Sequence, residues 1–208
     1  LRQVGVSTVR VERTLPFLFA HQLQQAGITL NYDGDYGVLQ RRVKNDEELE
    51  HLRAVQKITE ATMEMACSLI ARAPADAEGV LQHEGAALTS ERVRQLISRF
   101  VLDHDCTTLH DSIVVTVPHV ADCHHFGTGP LRKDLPVIVD IFPTHNHTHY
   151  CGDCTRTVVN GDVSDIVRDM HACVVRANAA GCAALQPGTT GQVVHEAVAA
   201  VIREGGYS

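Results

Sequence analysis

The chain has 208 residues, of which 44% are hydrophobic and 21% charged, and its formal net charge is −7. This length suffices for one well-buried domain, or for one domain plus part of another. The chain has no apolar run long enough to span a bilayer and no basic patch interleaved with aromatic residues, which argues against membrane and nucleic-acid partners. The 7 cysteines are an odd number and fall in predicted helices and strands. This pattern is typical of a reduced, cytoplasmic protein.

The first 43 residues predict a small strand, helix and strand arrangement. VGVSTVRVE and ITLNYDG are extended segments, LPFLFAHQLQQAG is helical, and Asp33-Gly34 marks a turn. We expect a domain boundary near Lys44, which separates residues 1–43 from residues 44–208. Because the chain begins at Leu1 without an initiator Met and stops at Ser208 just after a predicted helix, we expect both ends to be cut.

Two helices are predicted after this boundary. The first begins at Asn45 or Asp46, where early acidic residues favour a helix start. Its apolar stripe comprises Leu49, Leu52, Val55, Ile58, Ala61, Met65 and Leu69. The second helix follows Thr89 or Ser90. Its apolar face comprises Val93, Leu96, Ile97, Phe100 and Val101.

Strands and two further helices complete the pattern. SIVVTVP (112–118), PVIVDIF (136–142) and YCGDCTRTVV (150–159) read as strands. Ser164 caps a third helix that reaches about Leu185 and is followed by the break Pro187-Gly188, and a fourth helix covers 190–204. This order indicates an α+β fold with an antiparallel sheet covered by helices.

Two aspartates lie in the hairpin formed by the last two predicted strands. If Asn146 and His147 form a two-residue turn, Asp140 and Asp153 become direct cross-strand neighbours, with Cβ atoms about 4.5–5.5 Å apart. Two half-buried carboxylates at that distance repel, so they either share a proton or bind cations. Oxygen ligands suit manganese, cobalt or zinc. The sequence therefore predicts a metal site, with a shared-proton pair or a shifted register as the alternatives.

The same stretch contains His145, His147, His149 and a Cys151-x-x-Cys154 pair. Pro143 and Asn146 place the histidines at the tip of the hairpin, where we expect them to be solvated, with adventitious zinc or nickel binding as the alternative. Residues three apart on a strand point to opposite faces, so the two sulfurs cannot share a metal. Two small packed cysteines are the favoured interpretation.

These segments resemble the pita-bread metallopeptidases, a group that contains methionine aminopeptidase, Xaa-Pro aminopeptidase, prolidase and creatinase. Asp140 is followed thirteen residues later by Asp153 in GDCTRT, and DIFP…GD-x-TRTVV looks most like the Xaa-Pro aminopeptidase and dipeptidase branch. CHHFGTGPL, from Cys123, resembles the active-site His segment of the family. KNDEELEHLRAVQKIT and LQPGTTGQVVHEAV resemble two of its helical passages.

The resemblance covers about residues 40–208 and implies the first half of a pita-bread fold. Residues 1–43 look like the C-terminal remnant of a creatinase-type N-terminal domain, and residues 44–208 like the N-terminal half of the catalytic domain. By the resemblance, Asp140 would chelate one metal and Asp153 would bridge two, while His124 would contact the scissile carbonyl. It implies two divalent metal ions, manganese first with cobalt or zinc as alternatives. It also implies a metal-activated water and a short peptide substrate with Pro at the second position.

The remaining metal ligands of that family, a His and two Glu, lie after the position where this chain ends. His195 and Glu196 are not those residues, and we expect them on a solvated helix face. We therefore expect a fragment of a longer enzyme or a site completed by a partner, inactive alone. With half of the sheet missing, an apolar face should be exposed, and we expect a homodimer or association through the missing half.

Three alternatives stay open at this point. A pita-bread domain that has lost catalysis can serve as a peptide- or protein-binding module, although the presence of Asp140, Asp153 and His124 argues against this. Creatinase-type hydrolysis on the same fold does not need the aspartate pair. A small zinc-binding domain built on the histidine tip is the last alternative.

Overall fold

A computed structural model describes residues 2–207. The chain divides into two compact units, Leu1–His51 and Leu52–Ser208, and the boundary falls inside a long helix. The domain limits expected at 1–43 and 44–208 stay a prediction, and their outermost residues, Leu1 and Ser208, lie outside the described part of the chain.

The described part of the chain contains α-helices and short strands. The α-helices are α1 Phe17–Gln25, α2 Val38–Arg42, α3 Asp46–Arg72, α4 Ser90–Leu102, α5 Asp165–Ala184 and α6 Gly191–Glu204. The strands are β1 Thr8–Val11, β2 Thr29–Tyr32, β3 Gln82–His83, β4 Ala86–Ala87, β5 Cys106–Thr107, β6 Ile113–Thr116, β7 Pro136–Ile141, β8 Thr144–His145 and β9 Cys154–Val159. Short 3-10 turns cover Arg2–Val4 and His119–Ala121.

The first unit contains a parallel strand pair joined by a helix. β1 and β2 run side by side with Thr8 opposite Thr29, and α1 makes the crossover between them. A helical crossover is the usual way to connect parallel strands, because a tight hairpin can join only antiparallel ones. This confirms the strand, helix and strand pattern predicted for this part of the sequence.

Helix α3 begins with reciprocal hydrogen bonds between Asn45 and Glu48. The Glu48 amide donates to Asn45 Oδ1, and the Asn45 amide donates to Glu48 Oε2, each at 2.8 Å. This capping box satisfies two backbone donors that a helix start leaves unpaired. The predicted helix start at Asn45 or Asp46 is therefore confirmed.

The buried face of α3 differs from the predicted stripe. Ala61 is exposed, and the buried positions are Val55, Thr59, Thr62, Met63, Ala66 and Ile70. Thr59 and Thr62 are tolerated inside because their hydroxyls donate to the carbonyls four residues earlier, at 2.9 and 2.7 Å. Hydrophobic periodicity could not predict this face, since two of its members are polar by type.

The central sheet is antiparallel, as predicted, and its strands lie in the order β6-β7-β9. Along β7, Val137, Val139 and Ile141 are buried, and Asp140 lies half-buried on the opposite face. The buried face joins one core cluster with α3 and α4: Met63, Ala66, Ile70, Leu81, Leu88, Val93, Ile97, Val114, Leu131, Val137, Val139, Ile141 and Cys154. The predicted apolar face of α4 is thus confirmed by its buried positions.

Helices α5 and α6 pair through small residues. A Cβ at Gly181 would lie 2.8 Å from Val198 Cγ2, and one at Gly205 would lie 2.5 Å from Cys173 Sγ. His195 and Glu196 are exposed on α6, as expected. Within residues 2–207, every helix is too short or too polar to cross a membrane.

Asn160, just after β9, ties this strand to the end of α3. Its side-chain amide donates to the carbonyls of Ile70, Ala71 and Ala73, at 2.8, 3.1 and 2.9 Å. Carbonyls in the last turn of a helix have no partner within the helix. We expect Asn160→Ala to lower the free energy of unfolding by about 1–3 kcal/mol, measured by urea denaturation.

Two comparison variants sharpen this prediction. Asn160→Asp keeps the shape but loses the NH2 donors, so it should be destabilised as well. Asn178→Ala, on the exposed surface of α5, should stay within about 0.5 kcal/mol of the wild type. A fully stable Asn160→Ala variant would contradict a capping role.

Candidate active site

The register of the β7–β9 hairpin sets the geometry of the candidate site. Asp140 faces Thr155, and Ile141 faces Cys154. Farther along, the Gly152 amide donates to the Pro143 carbonyl at 3.0 Å, so the same register continues beyond the strands. The prediction that Asp140 directly faces Asp153 is therefore wrong by two residues.

A longer turn than predicted causes this shift. The His145 amide donates to the Tyr150 carbonyl at 2.9 Å, which leaves residues 146–149 in the loop instead of two turn residues. The His149 amide donates back to the His145 carbonyl at 2.9 Å, and His149 adopts a positive φ of 61°. Left-handed conformations of this kind allow the chain to reverse within a short loop.

A two-residue shift keeps both aspartates on the same face of the hairpin, because side chains alternate with a period of two. Asp153 becomes the diagonal neighbour of Asp140, a relation that corresponds to about 7–8 Å. At about 7.5 Å two unit charges repel by about 0.5 kcal/mol in water and about 2 kcal/mol at an effective dielectric constant of 20. The carboxylates are thus not forced to share a proton.

Asp140 occupies the middle strand of the sheet. Ile113 on β6 and Thr155 on β9 are its cross-strand partners. The Thr155 hydroxyl donates to Asp140 Oδ1 at 2.5 Å. This bond orients the half-buried carboxylate and leaves it as an acceptor-rich group at the surface of the sheet.

Asp153 is exposed and is held through its backbone by α3. The Asp153 amide donates to Gln56 Oε1 at 3.1 Å, and Gln56 Nε2 donates to the Asp153 carbonyl at 3.2 Å. Next to it, Gly152 is buried against the helix. A Cβ on Gly152 would lie 2.0 Å from Thr59 Oγ1 and 3.1 Å from the Val55 carbonyl, so only glycine allows this approach.

The predicted catalytic residue, His124, is exposed in the loop that follows the 3-10 turn His119–Ala121. Its backbone amide donates to Asp122 Oδ1 at 3.0 Å. The neighbouring His125 is half-buried, stacks on His119 with 4.2 Å between ring centroids, and accepts a hydrogen bond from the Gly127 amide through Nδ1. His125 therefore has a structural role in shaping this loop.

The loop continues along the edge of β6 that faces away from β7, the strand that contains Asp140. The Val114 amide donates to the Phe126 carbonyl at 3.1 Å. A Cβ on Gly127 would lie 1.8 Å from the Val114 carbonyl oxygen, and Gly127 has a φ of +84°. Since Ile113, beside Val114, faces Asp140, the His segment joins the sheet close to the predicted metal ligand.

Two residues of α4 fasten this loop. Arg94 Nη1 donates to the carbonyls of Phe126 and Gly127 at 2.7 and 2.8 Å. Glu91 Oε1 accepts hydrogen bonds from the Thr128 hydroxyl at 2.7 Å and from the Gly129 amide at 3.1 Å. Sequence analysis missed both residues, because their hydrogen-bond partners lie 32 to 38 residues later in the chain.

The histidine tip is only partly the solvated loop that was expected. His147 and His149 are exposed, whereas His145 is half-buried in β8, which pairs with β5. Of the two cysteines, Cys154 is buried and Cys151 is exposed, so the expectation of two packed cysteines holds for Cys154 alone.

The aspartate pair offers carboxylate oxygens to a divalent ion. Within the described part of the chain, no group of three or more His, Cys, Asp or Glu side chains could hold a metal. Asp140 and Asp153 nevertheless place two carboxylates on one face, and these hard oxygen donors fit a divalent cation as part of a larger ligand set.

Comparison with known proteins identifies the family. Residues 50–208 match the metallopeptidase family M24. The chain belongs to this family. An uncharacterised peptidase of Staphylococcus haemolyticus is 26% identical over 168 residues, which cover 80% of this chain and 44% of the relative. The chain spans about half the length of the curated relatives it matches.

Several solved peptidase structures share the fold. Prolidase from Pyrococcus furiosus matches 97% of this chain and 56% of its own, with a TM-score of 0.81 and 20% identity. X-Pro aminopeptidase from Thermotoga maritima MSB8 has a TM-score of 0.79 and 22% identity, over 99% of this chain and 55% of its own. Dipeptidase PepE from Mycobacterium ulcerans has a TM-score of 0.76 and 25% identity, over 96% and 50%. The expected pita-bread fold is confirmed.

The Glu91 contacts predict a pH dependence of stability. Partial burial raises the pKa of Glu91, but the hydrogen bonds from Thr128, the backbone, Thr89 and Gly129 outweigh it and lower the pKa from 4.5 to about 2. As the pH falls, the Glu91 carboxylate is therefore protonated in the unfolded chain before it is protonated in the folded protein. The stabilising contribution is present above pH 4.5 and is lost as the pH falls towards about 2.

We expect Glu91→Gln to remove this part of the decline in the free energy of unfolding, measured by urea denaturation across that pH range. Glu64→Gln, at an exposed position on α3, is the matched control and should keep the decline. If Glu91→Gln kept the wild-type pH dependence, the carboxylate would not carry this effect.

Proposed function

We propose that this chain carries half of the active site of a metal-dependent peptidase that hydrolyses X-Pro bonds. The observation that supports this most directly is the placement of Asp140 and Asp153 on one face of a hairpin whose sheet also docks the His124 loop. Membership of metallopeptidase family M24 supports the same conclusion.

In this proposal Asp140 and Asp153 would be the residues of this chain that hold two divalent ions. When bound, such ions would lower the pKa of a water molecule and polarise the scissile carbonyl. Thr155 holds the Asp140 carboxylate through its hydroxyl, so that the oxygen acceptors face the substrate side of the sheet. Further protein ligands must complete this set, from a longer chain or from a partner.

His124 is proposed to contact the scissile carbonyl and to stabilise the negative charge that develops on it. Its exposure leaves the imidazole accessible to a peptide. Glu91 and Arg94 hold the following residues of the loop, which limits how far the histidine can move away from the sheet. Fixed donors of this kind act without reorganisation during the reaction.

The proposed substrate is a short peptide with Pro at the second position, and manganese is the first candidate metal, with cobalt or zinc as alternatives. Solved proteins of the same fold bear the names prolidase, X-Pro aminopeptidase and Xaa-Pro dipeptidase. Self-association stays a prediction. The first turns of α5 expose Ile166, Met170 and Val174 by 62%, 42% and 55%, and an apolar stripe of this kind favours burial against another surface.

The metal ligands can be tested by binding alone. We expect Mn²⁺ binding, followed by electron paramagnetic resonance, to be weakened at least tenfold by Asp140→Asn and by Asp153→Asn, because each variant loses an anionic ligand. Asp169→Asn, at an exposed position on α5, is the matched control and should bind like the wild type. Equal binding by all four proteins would refute the assignment.

The activity test depends on the completeness of the site. We expect the 208-residue chain alone to release no N-terminal residue from an X-Pro peptide in the presence of Mn²⁺, because its ligand set is incomplete. A protein or complex that supplies the remaining His and Glu ligands should cleave X-Pro peptides but not matched X-Ala peptides. Manganese-dependent cleavage by the isolated chain would contradict the first expectation, and equal cleavage of both peptides the second.

A further inference from the structure

The side chain of Gln56 makes two hydrogen bonds to the backbone of Asp153. It lies on α3, 97 residues before Asp153, and its side-chain amide both donates to and accepts from the Asp153 backbone. It is half-buried, and its Nε2 also makes a longer hydrogen bond of 3.4 Å to Glu60 Oε1.

On the side away from β7, the backbone at Asp153 has no neighbouring strand within the described residues. The Gly152 amide points to the β7 side, where it donates to the Pro143 carbonyl. Because hydrogen-bonding groups of successive residues in an antiparallel ladder point to opposite sides, the Asp153 amide and carbonyl point away from β7. The described strand order places no strand there, since β9 is at the edge of the sheet.

A glutamine side chain can replace a missing strand at a single residue. It offers a carbonyl acceptor and an NH2 donor in one plane, which is the donor and acceptor pair of a peptide group. With distances of 3.1 and 3.2 Å, both bonds to Asp153 fall within the normal range. Asp153 is thus anchored by its main chain to a 27-residue helix, while its carboxylate stays free.

The approach that makes this possible depends on Gly152. Gln56 and Thr59 are one helical turn apart, so they lie on the same side of α3. Gly152 packs directly on Thr59, where a Cβ would lie 2.0 Å from the hydroxyl. This contact brings the following residue within reach of the Gln56 amide.

We propose that Gln56 is a positioning residue for Asp153, which fixes the main-chain position from which the carboxylate extends and thereby the affinity of the site for a divalent metal ion. This role rests on the proposed function of Asp153 as a metal ligand. Outer partners that orient a ligand commonly contribute about 10–100-fold to metal affinity, and one carbon less in the side chain would break both bonds.

The test uses two measurements on the ¹⁵N-labelled 208-residue chain. Hydrogen exchange reports on the Asp153 amide, and paramagnetic broadening by Mn²⁺ gives the dissociation constant even for a weak site. Gln56→Met keeps an unbranched side chain of similar length without hydrogen bonds. Gln56→Asn keeps the amide but is too short. Gln192→Met, at an exposed position on α6, is the matched control.

We expect about tenfold faster exchange at Asp153 and an about tenfold larger Mn²⁺ dissociation constant in both Gln56 variants, at the low end of the range for lost outer partners. The Gln192→Met control should change neither. Urea denaturation checks that the Gln56 variants are folded under the conditions of the measurement, and the shorter Asn variant serves if Met disturbs the packing.

Two results would overturn the proposal. Unchanged exchange at Asp153 would mean that the Gln56 bonds do not hold this backbone. Faster exchange with an unchanged Mn²⁺ constant would mean that they only dock the strand on the helix. In both cases Asp153→Asn would still lose the ion. If the wild type showed no saturable Mn²⁺ effect, or Asp153→Asn bound like the wild type, the metal site itself would fail, and the positioning role with it.

Discussion

The close approach between residues 151–154 and helix α3 determines where the second carboxylate of the candidate site lies. It is possible because Gly152 has no side chain and can rest on the Thr59 hydroxyl. That hydroxyl in turn donates to the Val55 carbonyl at 2.9 Å, so Gly152 packs on a side chain that is bonded to its own helix. Asp153 then has little freedom, since its neighbour is packed and its own backbone is bonded to Gln56.

The other half of the candidate site is held by a different helix. Glu91 and Arg94, one turn apart on α4, bind the Phe126–Gly129 stretch, and β6 binds it from the other side. Both α3 and α4 contribute to the same core cluster as β7. The His loop and the aspartate hairpin are therefore attached to one hydrophobic core. The side chains of the candidate site are thus positioned mainly by hydrogen bonds from helix side chains to the backbone of the loop and the hairpin.

Local signals predicted most of the chain from Asn45 onward correctly. The helix starts at Asn45 and Thr89 could be found because capping involves residues three apart in sequence. The strands of the central sheet could be found because β-branched runs and alternating burial are properties of one segment. Asp140 and Asp153 were assigned to the same face, which the observed register retains even though it moved by two residues.

The errors have three different physical origins: the conformation of a short loop, a polar side chain that is buried on its own helix, and a contact between distant segments. The hairpin register depends on a four-residue loop closed by His145 and Tyr150, and the left-handed conformation of His149 in that loop has no strong signal in the sequence. The α3 stripe was misassigned because Thr59 accepts burial by bonding its own helix. Gln56 could not be recognised at all, since its role exists only when a strand 97 residues away is docked beside it.

The corrected register also changes the physical basis of the metal hypothesis. Directly opposed carboxylates would have demanded a cation or a proton for stability, which would couple metal binding to folding. Diagonal carboxylates, one of them exposed and the other bonded to Thr155, repel by only about 0.5–2 kcal/mol. A repulsion of this size does not require an ion for folding, and in the proposed site the affinity for metal would depend on how well Asp140 and Asp153 are positioned. In the proposed site, the contact from Thr155 to the Asp140 carboxylate and the contact between Gln56 and the Asp153 backbone would hold two surface carboxylates in place as metal ligands.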